Sequence, residues 1–201
     1  MMAKIKLSKN ELKREKDSLK RYLRYLPTLI LKKQQLQAEI RRIETKLEET
    51  RAESVSGKQA LELWIGLFGT SVDIGSYVQV AEVVSGTSNI AGIDIPVFER
   101  VRFQDLPWDL FLTPLWVDRA VEVLQRLVAL EMEMRVLQEQ CDIIAAELRV
   151  TSQRINLFEK VKIPEARENI RRIRIFMGDQ EVAAVVRGKI SKNKIVKGGV
   201  A

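Results

Sequence analysis

Two dipeptides in this chain invite a search for phosphate chemistry: Gly57-Lys58 and Gly188-Lys189 each set a lysine behind a glycine. A phosphate-cradling loop needs an opening glycine five positions earlier, and a Ser or Thr directly after the lysine. Here Gln59 and Ile190 follow the lysines, and Ala52 and Ala183 stand where the opening glycine belongs. Both candidates fail. The chain contains no histidine, which removes the commonest general base and the commonest transition-metal ligand. Its single cysteine, Cys141, has no partner for an internal disulfide and falls on an apolar stripe, where a small thiol packs as a hydrophobe. The many carboxylates lie mostly between apolar positions, where a solvated face explains them better than paired-carboxylate catalysis. Neither an active site nor a cofactor is expected.

The elements that carry these residues are long. Trp116, Ala120, Val123, Leu127, Leu130, Met134, Leu137, Cys141, Ile144, Leu148, Thr151, Ile155 and Phe158 recur at alternating steps of four and three. A mean spacing of 3.5 faces one partner continuously only in a left-handed supercoil. After Phe158 the phase slips by one residue and resumes through Ile163, Ala166, Ile170, Ile173 and Met177. Pro164 beside the slip predicts a bend or overwinding there. The N-terminal part repeats the pattern through Leu12, Leu19, Tyr22, Leu26, Leu29, Leu36, Ile40, Ile43 and Leu47, with Glu15 and Lys33 as charged exceptions. Ser8 and Glu11 read as a capping box, and Pro27 as an interruption with a kink.

Residues 53–113 differ in kind. Ser54, Ser56 and Gly57 read as the break in the first helix, and Ala60–Phe68 as a short helix. The runs Tyr77–Val84 and Ile93–Phe103 around a turn at Ser85–Gly92 predict a β-hairpin. Pro96, which has no N–H for a ladder, predicts an edge position. The resulting division is an N-terminal coiled-coil helix (1–55), a middle segment (56–113), a C-terminal coiled-coil helix (114–186) and a basic flexible tail (187–201). The expected fold is mainly α: a long two-stranded antiparallel coiled coil with a small middle segment of short helix and hairpin. Trp116 and Leu61–Phe68 are expected partners at its far end. Setting Pro27 level with Pro164 would put Ser8 opposite Ala183 and Leu47 opposite Ile144.

Composition agrees with an elongated helical chain. Of 201 residues, 46% are apolar and 30% charged, much surface to solvate around a thin seam. The net charge of +7 is uneven, at +8 over residues 1–52, −5 over 53–113 and +4 over 114–201, which points to partners of opposite sign. The most apolar stretch, Ala60–Val72, is short for a membrane span and carries Glu62. The N-terminus is basic, without the apolar core of a secretory signal. These features lead us to expect a cytoplasmic chain.

Three segments carry a resemblance. Leu26-Pro-Thr-Leu-Ile-Leu-Lys-Lys-Gln-Gln-Leu36 resembles the Leu-Leu-Lys-x-Lys-Arg-Asp-x-Leu run of the D-subunit family of V/A-type ATPases, with Gln34 and Gln35 where the family has Arg-Asp. Thr151-Ser-Gln-Arg-Ile-Asn-Leu-Phe-Glu159 is similar to its Thr-x-Arg-Arg-Val-Asn-Ala-Leu-Glu. Asn89, Gly92 and Pro96 resemble its Asn-x-x-Gly-x-x-x-Pro hairpin strand. The resemblance implies a non-catalytic central-stalk rotor that transmits torque between ATP turnover and ion translocation, peripheral to the membrane. It implies as partners the catalytic and nucleotide-binding A and B subunits of the head, the F subunit of the stalk, and the socket protein (C/d) on the membrane ring. Under it Lys4, Lys6, Lys9, Arg171, Arg172 and Arg174 are the candidate contacts to acidic loops of the head. The competing reading is a basic coiled coil that binds nucleic acid or acts as a scaffold. Against nucleic acid stand the interleaved Glu and Asp and the lack of an aromatic platform.

Overall fold

A computed structural model describes residues 6–62, 66, 74–104, 114 and 116–198. Helix α1 spans Lys9–Glu62, strands β1 and β2 span Val80–Ile90 and Ile93–Phe103, α2 spans Trp116–Leu157 and α3 spans Ile163–Gly198. A 3-10 turn at Ile74–Tyr77 precedes the hairpin, and a π turn at Phe158–Lys162 joins α2 to α3. The chain divides into two compact units, one of Lys32–Val150 and one of Met1–Leu31 with Thr151–Ala201.

In the Lys32–Val150 unit, α1 and α2 run antiparallel. Lys32 Nζ lies 2.8 Å from Glu147 Oε1 and Lys46 Nζ 2.7 Å from Glu133 Oε1, so 14 residues forward on one helix match 14 back on the other. Leu36, Ile43, Leu137 and Ile144 are buried between them, with Ile40, Leu47, Cys141 and Leu148 packed around. This register corrects the proline-matched one. Leu47 sits one residue beyond the partner of Glu133, not opposite Ile144, and Ile144 shares the cluster of Leu36. The two prolines exert no pull on each other; the apolar seam and its flanking ion pairs set the alignment.

α1 does not break at Ser54–Gly57 but continues to Glu62. Ser54 is buried, and a Cβ on Gly57 would stand 2.8 Å from Leu127 Cδ2. Small residues here let α2 approach, and that packing outweighs the cost of about 1 kcal/mol for glycine inside a helix. Most of the short helix expected at Ala60–Phe68 lies outside the described residues. Near the start of α2, Val117, Ala120 and Val121 bury Ile74, with Trp116, Tyr77 and Val78 packed against them.

The hairpin forms, with a shorter turn than Ser85–Gly92. Strand pairing continues to Ile90 opposite Ile93, leaving Ala91 (φ 52°) and Gly92 (φ 80°) as the two turn residues. Positive φ at both positions is the twist a two-residue hairpin demands. Tyr77 belongs to the 3-10 turn rather than to the strand. Ile95 is buried in the helix-pair core, with Ile90, Ala91 and Ile93 around it.

In the chain-end unit, α1 begins with half of the expected capping box, the Ser8 N–H donating to Lys6 O and not to the Glu11 carboxylate. Glu11 N–H donates to Ser8 Oγ at 3.3 Å, and the helix passes Pro27 without interruption. Within this unit the helical segments pair antiparallel, with the rings of Tyr22 and Phe158 5.1 Å apart and Asn169 Nδ2 donating to Glu15 Oε1 at 3.2 Å. The buried Asn169 thus satisfies a carboxylate that interrupts the apolar ladder of α1. Ile155, Ile163, Ala166, Ile170 and Ile173 are buried. The one-residue slip is accommodated by the π turn, where Ile163 N–H donates to Phe158 O, five residues back. A π turn holds one residue more than an α turn, so the chain is widened there, not overwound. The following Pro164, which has no N–H, would crowd the carbonyl of Lys160 in a regular α-helix. α3 then runs to Gly198, past the expected end at 186.

Candidate functional site

Both glycine–lysine pairs lie inside helices, Gly57-Lys58 in α1 and Gly188-Lys189 in α3. Their backbone N–H groups therefore belong to helical ladders and cannot converge on a phosphate. Cys141 is half-buried, and burial, with Glu44 and Asp142 nearby, pushes its thiol pKa up. The thiolate is the reactive form, so this shift works against reactivity. Among the described residues no group of three or more His, Cys, Asp or Glu is placed to hold a metal, and no helix is long and apolar enough to cross a membrane.

Of the six basic candidates, Lys4 lies outside the described residues. Lys6, Lys9, Arg171, Arg172 and Arg174 are all exposed and all belong to the chain-end unit. Lys6 borders a shallow groove of about 480 Å³ with Glu15, Lys162, Glu165 and Asn169. Arg171 Nε and Arg172 Nε lie 3.5 and 3.0 Å from the same carboxylate, that of Glu168. These two are partly answered from within the chain, while Arg174 has no ion pair among the described residues. Past Ile173, α3 exposes Val182, Val185, Val186, Ile190 and Ile195.

A further basic face escaped the sequence reading. Lys13, Arg14, Lys20, Arg21 and Arg24 flank one side of α1 together with Asn10 and Asp17. Their signal was spacing at three, four and seven on the side away from Leu12, Leu19, Tyr22 and Leu26. Counting charge along the sequence does not reveal it; sorting charge by helix face does.

The hairpin positions have structural duties. Asn89 Oδ1 accepts from Gly92 N–H at 3.0 Å, and its Nδ2 donates to Asp94 Oδ1 at 2.7 Å. Gly92 supplies a positive φ, which L side chains rarely adopt. Pro96 O accepts from Nε2 of the buried Gln140 on α2, fastening β2 to the helix. The described sheet has two strands, so each has a free edge. Of the seam residues, Leu36, Leu137, Ile144, Ile155, Ile170 and Ile173 are buried, while Leu19, Leu26, Ile40, Leu127, Met134, Cys141, Leu148 and Phe158 are half-buried.

Residues 11–193 match the family of ATP synthase D subunits. The chain is 47% identical over 196 residues to the V-type ATP synthase D subunit of Borreliella burgdorferi, covering 98% of this chain and 97% of that protein. It is 34% identical over 202 residues to that of Chlamydia caviae, covering 97% and 95%. With that of Chlamydia muridarum the identity is 32% over 198 residues, covering 97% and 98%.

Proposed function

The chain belongs to the ATP synthase D-subunit family, and from that membership we propose that it is the non-catalytic central-stalk rotor of a V-type ATPase or ATP synthase. In this role it carries torque between ATP turnover in a catalytic head and ion translocation through a membrane ring. The observation that carries the reading is the antiparallel seam, fixed by Lys32–Glu147 and Lys46–Glu133 in one unit and by Tyr22–Phe158 and Glu15–Asn169 in the other. Two helices locked side by side resist bending and twisting far better than one, because deformation must shear the packed side chains.

The partners that fit are the A and B subunits of the head around the chain-end unit, with the F subunit and the membrane-ring socket protein (C/d) engaged elsewhere on the chain. The charged solvent faces suit a surface that must slip past its neighbours, since exposed ion pairs contribute only about 0–1 kcal/mol each. The apolar side chains exposed on α3, from Val182 to Ile195, supply a face for head subunits to cover. The membrane connection then runs through partners, on the cytoplasmic side. Affinity purification of the tagged chain at low detergent tests this. The A, B and F subunits should co-purify in stoichiometric yield, and recovery of the chain without head subunits overturns the rotor assignment.

A further inference from the structure

The solvent face of α1 in the chain-end unit carries cations that the fold leaves largely unanswered. From Lys13 to Arg24 is 11 residues, about 16 Å along the helix. Arg14 lies 3.9 Å from Glu11, and Arg21 donates to Ser18 Oγ at 3.2 Å. Lys13, Lys20 and Arg24 have no hydrogen bond or ion pair among the described residues. Lys20 and Arg24, four apart, repel each other on the helix surface. On α3, by contrast, Arg171 and Arg172 share Glu168.

We propose that this column is the principal electrostatic docking surface of the chain-end unit and that it receives carboxylates of a folded protein. The choice rests on the rotor reading for which protein that is, namely the head subunits, and on charge complementarity for its chemistry. Asp17 decides between anions. It sits within the column and separates Lys13 and Arg14 from Lys20, Arg21 and Arg24. Each strand of a nucleic-acid duplex presents a charge about every 3.4 Å of its axis, so a phosphate track laid along this face brings its charge beside Asp17. Two separate clusters of Asp or Glu on a folded surface can engage the cations on either side and leave Asp17 to solvent. The column thereby takes precedence over Arg171 and Arg172, whose charge is partly spent on Glu168.

The test compares two variants by titrating each chain into the purified head subunits at several salt concentrations. K13Q/K20Q/R21Q/R24Q should bind about tenfold more weakly at low salt, as four lost exposed contacts imply, and its affinity should depend less on ionic strength. R171Q/R172Q/R174Q should lose less. A charge-conserving swap, K13R/K20R/R21K/R24K, should bind like the unaltered chain, and far-UV circular dichroism should show full helicity in all. If the quadruple glutamine variant binds as well as the unaltered chain, or if the α3 variant loses more, the column is not the principal contact. The unaltered chain is also titrated with duplex DNA and with phosphatidylglycerol vesicles; submicromolar binding to either that the quadruple variant loses overturns the assignment to protein carboxylates. An unaltered chain that binds no head subunit at any salt overturns the rotor reading itself, a result separate from those that strike the column alone.

Discussion

The Lys32–Val150 unit and the chain-end unit are built from the same helical material and solve packing differently. In the first, a hairpin lends Ile95 to the helix seam and the heptad pattern of α2 runs without interruption from Leu127 to Leu148. In the second, no strand assists among the described residues, and the seam carries a π turn, the buried polar side chains Thr151 and Asn169, and an aromatic pair. With a third layer the heptad pattern stays regular, and the buried polar side chains Thr50, Ser54 and Gln140 lie to either side of its apolar stretch. Where two helices pack without a strand, the irregular turn and the polar side chains Thr151 and Asn169 sit within the contact itself.

The largest effect separates the two by a single residue. Deleting the exposed Asp142 turns every following seam side chain by about 100° against those before it, and should cost more than about 5 kcal/mol, since several core residues leave the seam together. Deleting the exposed Val161 removes only the surplus residue of the π turn and leaves the spacing from Phe158 to Ile163 at four. Combined with Pro164→Ala, to avoid a proline clash in the restored α turn, it should change stability by no more than about 1 kcal/mol. Chemical denaturation followed by circular dichroism checks both, and equal losses would erase the distinction.

Truncation of the fully buried Leu36 or Ile144 should lower stability by about 2–5 kcal/mol as Leu36→Ala or Ile144→Ala. Ile155→Ala, at a less enclosed position of the other unit, should fall at the low end of that range in the same measurement. Thr151 is fully buried and its hydroxyl has no hydrogen-bond partner among the described residues. Thr151→Val, which keeps the shape and removes the unpaired group, should raise stability by about 1 kcal/mol, visible as a higher Tm. The smallest effect belongs to the ion pairs of the hairpin-bearing unit. Lys46→Gln, whose side chain is more than half exposed, should cost less than about 1 kcal/mol, and that cost should fade with added salt.

Periodicity made the seam legible, down to the slip after Phe158, because burial on a helix leaves a repeat in the order of residues. Register was not legible: a heptad pattern fits a partner equally well after a shift of seven, and the choice falls to contacts such as Lys46 with Glu133. The fate of Gly57 was hidden for a related reason. Its local signal is helix-breaking, and the contact that overrides it comes from Leu127, 70 residues away in the chain. Ser85, Gly86, Thr87, Ser88 and Asn89 read as turn formers, yet the 11-residue β2 pairs with all five. Asn89, Gly92 and Pro96 were visible as a motif before their bonds were. Of the basic candidates, Lys6, Lys9 and the α3 arginines lie in one unit, but the denser face from Lys13 to Arg24 required sorting by helix side.

The wide turn at Phe158–Lys162 also bears on how a gene for this chain can change. An extra codon is already absorbed there without displacing the apolar side chains before or after it, so a triplet lost from this stretch leaves both flanking patterns in step. Elsewhere along α2 the same mutation has no such refuge. With Pro164 replaced by alanine, length variants compatible with folding should therefore cluster at these five residues, and a library of in-frame single-codon deletions in that background would show the cluster directly.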